Sequence, residues 1–79
     1  MNHHTAHAIE KHEQSARIYL QLASDNLAVA MQETRLARKH EYLGYSEDYS
    51  LLAKNELTKA YALVHNAQHI ASLPVNKSV

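Results

Sequence analysis

Small and apolar residues recur with a helical period along most of this chain. Ala16, Ala23, Ala30 and Ala37 stand seven residues apart, and Ala53, Ala60 and Ala67 repeat the spacing further on. A seven-residue step brings a helix back to nearly the same face, so each series marks one stripe of an amphipathic helix. From Thr5 to Leu43 there is neither Gly nor Pro, and good helix formers dominate. The chain holds one glycine and one proline in its 79 residues, which leaves few places for a helix to break. The pattern predicts an all-α fold.

The segment Gly44-Tyr45-Ser46-Glu47-Asp48 carries a stop signal followed by a start signal. Gly44 can close a helix in the left-handed conformation, and Ser46 can cap the next one with Glu47 and Asp48 in its first turn. Arg35, Arg38, Lys39 and His40 would complement the C-terminal dipole of the first helix. Helix 1 is therefore expected at about 5–43 and helix 2 at about 47–73, ended by Pro74. With the chain reversing at Tyr45, Ala37 would face Ala53, Ala30 would face Ala60, and Ala23 would face Ala67. Leu27 with Leu63 and Leu20 with Ile70 follow the same rule. Such an antiparallel helical hairpin forms a single domain over 1–79, with 1–12 and 74–79 expected to fray. Helix 1 would be the longer by about 18 Å at ~1.5 Å per residue, so its N-terminal part would lack a partner within the chain.

A second stripe on helix 1, Leu22, Val29 and Leu36, lies outside the alanine seam. A broad apolar surface that one partner helix cannot cover points to a second copy and a four-helix bundle. The candidate partner interface is Ile18, Leu22, Val29, Leu36, Tyr42, Tyr45, Tyr49 and Leu52, the tyrosines being placed at the hairpin tip. Asn26, beside Val64 in this register, could fix alignment, and Arg35 or Arg38 could pair with Glu56.

Eight Lys and Arg balance eight Asp and Glu, which argues against broad capture of nucleic acid. Cysteine is absent, removing disulfides and thiolate metal sites. No apolar run approaches a membrane span, and the N-terminal residues lack the pattern of a secretory signal, so a cytoplasmic protein is expected. His65 and His69 stand four apart on helix 2, with Asp25 and Gln21 at matching levels, but this supplies too few ligands for a closed metal site. His3, His4 and His7 form a looser group, and no metal or cofactor is assigned. Arg35 and His40 have the Arg-x4-His spacing that resembles the nuclease motif of the HEPN superfamily, though cations at a helix end account for both. Tyr42-Leu43-Gly44 resembles a degenerate Trp-x-Gly turn of the WXG-type secreted hairpins.

No nucleophile–base pair, phosphate loop or cofactor motif stands out, so the chain is expected not to be an enzyme. The function expected is a small adaptor, chaperone-like protein or regulator that presents an apolar helix face to a second copy or another helical protein. In architecture the hairpin with alanine-rich seams resembles the Rop type, which implies binding of paired RNA loops as the alternative. A basic set of Arg17, Arg35, Arg38, Lys39, Lys54 and Lys59 would serve it. A metal- or pH-responsive module built on the histidines is the third possibility.

Overall fold

The computed structural model describes residues 2–72. It is an antiparallel hairpin of two long helices, α1 (His3–Gln32) and α2 (Leu36–Ser72), forming a rod with Cα extents of 70 × 16 × 11 Å. The hairpin and the end of the second helix follow the pattern of the sequence, and the expected tail at 74–79 lies outside the described residues. The position of the turn does not.

The chain reverses at residues 33–35, and Gly44 lies inside α2. Three groups shape the turn. Glu33 leaves the helix with extended geometry, φ −81° and ψ 127°, while its N–H reaches the Ala30 carbonyl at 3.3 Å. The Glu33 carboxylate then accepts from both the backbone N–H and Nε of Arg35, each at 3.0 Å. This provides an acceptor for one of the N–H groups that the start of a helix leaves unpaired. The Arg35 carbonyl accepts the N–H of Lys39 at 2.9 Å and starts the ladder of α2. A carboxylate folded onto the next helix does here what glycine was expected to do ten residues later. At the other end of α1, the Asn2 side chain accepts the Thr5 N–H at 2.7 Å, a regular N-cap.

Moving the turn changes every pairing. Ala30 lies level with Lys39 and Ala23 with Ser46, each three heptads before the expected partner, and Ala16 lies level with Ala53 and Ile9 with Ala60. Two hydrogen bonds fix this register directly. Ser46 Oγ donates to the Ala23 carbonyl at 2.8 Å, and Lys39 Nζ donates to the Ala30 carbonyl at 2.8 Å. The expected N-terminal overhang is gone, because residues 3–12 now run beside α2 and Ile9 is buried. Most of the alanine stripe is where the pattern put it, but Ala37, expected to face Ala53, falls after the turn and is exposed on α2. Ala16, Ala23, Ala30, Ala53 and Ala60 form the buried core together with Ile9. Small side chains at these levels let the backbones approach, toward the close end of the ~8–10 Å found between packed helices.

Alternating with the alanine levels are half-buried levels of larger side chains. The His12 imidazole donates through Nδ1 to Glu56 Oε2 at 2.6 Å. Tyr19 and Tyr49 stack with centroids 6.3 Å apart and 23° between planes. Asn26 stands level with Tyr42 and donates to the Leu22 carbonyl of its own helix at 2.8 Å, well away from Val64. Arg35 and Arg38 pair with Glu33, at 3.0 and 4.0 Å, and Glu56 lies far from both.

Gly44 has no left-handed backbone, and a Cβ added there would meet no heavy atom within 4 Å. Gly44→Ala should therefore stabilise the hairpin by about 0.5–1 kcal/mol, the difference between the two residues in a helix interior. Thermal unfolding followed by circular dichroism should show a Tm several degrees higher. A lower Tm would mean that residue 44 is needed as a turn.

Candidate functional site

The helix positions that flank the seam carry most of the large apolar side chains. In an antiparallel pair, the residues just outside the packed stripe line up along its two sides. On one side α1 contributes Leu20 and Leu27, and α2 contributes Leu36, Leu43, Leu57 and Val64. Leu27 is level with Leu43, and Leu20 is level with Ser50, which lies between Leu43 and Leu57. The leucines remain 49%, 43%, 81%, 43% and 47% exposed in chain order. A shallow concavity opens on this flank, lined by Glu13, Ala16, Arg17, Leu20, Gln21 and Leu57. On α1 the row begins with a charge at Glu13 and continues with Leu20 and Leu27.

The opposite flank is shorter and more mixed. Leu22 and Val29 of α1 lie beside Tyr45 and Leu52 of α2, with Ser15 within the row and Arg38 and Lys59 at its ends. Val29, Tyr45 and Leu52 are exposed, and Leu22 is half-buried. The eight residues expected to form one interface therefore occupy several places. Leu22, Val29, Tyr45 and Leu52 share this second flank, whereas Leu36 belongs to the first. Ile18 points outward from α1 at 60% exposure. Tyr49 is half-buried against Tyr19 within the seam, and Tyr42 is half-buried edge-on to Tyr45 at 5.7 Å. The tyrosines belong to the body of α2, not to a tip.

The heptad spacing of Leu20, Leu27, Leu43 and Leu57 is legible in the sequence, but the surface they share is not. The register hid them. A turn at Gly44 would set Leu27 against Leu63 and Leu20 against Ile70 inside the seam and hide both from solvent.

The remaining candidate chemistry is dispersed. His65 stacks on Tyr61 with centroids 6.4 Å apart, on the outer face of α2. Gln21 donates to Asp25 at 2.8 Å within α1, at a level near the middle of α2, so these residues do not converge with His65 and His69. Among the described residues no group of three or more His, Asp or Glu could hold a metal ion. Arg35 is engaged by Glu33, and His40 lies exposed on α2 after the turn. Gly44 lies mid-helix, which removes the match to a Trp-x-Gly turn. The basic residues do not share one face: Arg35 and Arg38 gather at Glu33, Lys39 reaches into the seam, and Lys59 is 3.5 Å from Glu56. Among the described residues no helix is long and apolar enough to cross a membrane.

Two carboxylates carry a shifted charge balance. Hydrogen bonds from the Arg35 side chain and then its backbone hold Glu33 below its ordinary value of 4.5. The hydrogen bond from His12 is the main cause of the same shift at Glu56, with Lys59 assisting. Glu41 accepts the Tyr45 hydroxyl proton at 2.7 Å, which pushes that phenol up. Compared with known proteins, the chain matches no protein family, and neither a curated protein nor a solved structure matches it significantly.

Because folding lowers the affinity of Glu33 and Glu56 for protons, both carboxylates favour the folded state while ionised. Their contribution is present above pH 4.5 and declines as pH falls through the lowered folded values. The Tm should thus fall on acidification below this range. Glu56→Gln should have a lower Tm at pH 7 and a shallower fall than the wild type. Equal slopes for the two proteins would show that the His12–Glu56 contact is not formed in solution.

Proposed function

We propose that this protein is a non-enzymatic interaction module, an adaptor or regulator that works by laying an apolar flank against other helices. The observation that carries the proposal is the inverted placement of its side chains. The hairpin packs on alanines, while Leu20, Leu27, Leu43 and Leu57 stay about half exposed. Half burial of a leucine leaves part of the ~1.5–3 kcal/mol available from its full burial unrealised. A partner helix is the natural way to realise it. Homodimerisation into a four-helix bundle is one form of that association, and docking of another helical protein on the second flank is compatible with it. Two separate flanks allow both at once. A cysteine-free chain is also suited to the reducing cytoplasm.

The test is to place a charge on each flank together, with Leu27→Glu and Val29→Glu in one protein. Both positions are already 43% exposed, so the isolated hairpin should keep its helical circular dichroism. Self-association by sedimentation at micromolar concentration, and retention of any partner identified from the native host, should both disappear. If the wild type neither self-associates nor retains a specific partner, the interaction role is wrong.

A further inference from the structure

We infer that the open end of the hairpin carries two chelating sites for a divalent transition-metal ion of the zinc, nickel or copper class, His3 with His7 on α1 and His65 with His69 on α2. Neither apolar flank takes part, so metal binding and the interaction role proposed above can each exist without the other.

The fold brings the two pairs to the same end of the rod. His65 lies level with His4, and His69 stands one helical turn further out. The Glu33–Arg35 clamp is at the opposite end. Within each pair the residues are four apart in a helix, so both side chains leave one face, with Cβ atoms ~5–6 Å from each other. His7 precedes the buried Ile9 by two residues, about 200° around the helix, and His69 follows the buried Ala60 by nine, about 180° around. The pairs therefore face outward, and all four histidines are exposed. Tyr61, one turn before His65, stacks on its ring with centroids 6.4 Å apart and 6° between planes. His4 lies edge-on to His3 at 6.1 Å and, three residues before His7, can stand in for it as the second ligand.

Imidazole nitrogen is a ligand common to zinc, nickel and copper, whereas magnesium and calcium take oxygen. Two nitrogens that are each ~2.0–2.1 Å from one ion stand about 3 Å apart. Imidazoles one turn apart close that gap by rotating about their own side-chain bonds. The pairs face opposite sides of the rod, in keeping with the absence among the described residues of any group of three or more His, Asp or Glu that could hold an ion. Each ion thus takes two protein nitrogens and completes its shell with water. The spacing exists only while the turn is helical, so a bound ion favours the folded chain by mass action. It ties one turn at the start of α1 and one near the end of α2, where a helix has the fewest hydrogen bonds to hold it.

Calorimetric titration of the untagged chain with zinc chloride provides the test. The wild type should bind two ions. His7→Ala, which removes the partner of both His3 and His4, should bind one, and so should His65→Ala. The variant with both substitutions should bind neither over the same concentration range, because a lone imidazole forgoes a chelate gain of about a hundredfold or more. His40 is exposed near the turn with no histidine three or four residues away, and His40→Ala should still bind two. Zinc should also raise the Tm of the wild type and leave that of the double variant unchanged, and magnesium should alter neither. Zinc binding that survives in the double variant, that is lost with His40→Ala or that magnesium reproduces overturns the assignment. So does a wild type that binds no zinc at millimolar concentration.

Discussion

The close approach of two backbones along a seam of alanines is the constraint on which the rest of this molecule depends. A methyl group fills little space, so helices that meet through alanine can lie near enough for side chain to reach backbone across the interface. Ser46 and Lys39 do this, each donating to a carbonyl of α1. The same closeness leaves no room for leucine in these levels. Large apolar side chains are displaced to the flanks, and the hairpin turns outward the surface a globular protein would hide. Packing within the chain and stickiness outside it have one cause.

How far the sequence reveals this structure depends on what each signal specifies. The alanine stripes and the scarcity of Gly and Pro make two antiparallel helices legible, and Pro74 marks the region where the second ends. The turn is not legible from the same signals. A heptad-periodic stripe looks identical after a shift of any whole number of heptads, so alanine-to-alanine matching accepts several registers equally. Gly44 then appears to choose among them. It chooses wrongly because an interior glycine costs only about 1 kcal/mol. Leaving the first part of α1 unpaired would forfeit much more contact. The actual turn, with Glu33 folded onto Arg35, contains no strong breaker.

The polar levels resolve the ambiguity that alanine leaves. His12 meets Glu56 and Tyr19 meets Tyr49 only in the observed register. A slip by one heptad would keep methyl groups against small residues but would separate these pairs. Alanine supplies the closeness, and the less regular residues supply the alignment. The flanking leucines share a surface only in that alignment, so their role is the least legible part of the sequence.

The turn also sets the order in which the molecule can assemble. Seam contacts grow steadily more distant along the chain: Ala30 to Lys39 spans 9 residues, Ala23 to Ser46 spans 23, and His12 to Glu56 spans 44. Each contact shortens the loop that the next must close, so a hairpin of this kind can zip from its turn outward without a costly long-range search. The Glu33–Arg35 clamp stands at the start of that path, and the hydrogen bond between His12 and Glu56 is reached only after the register has been read level by level.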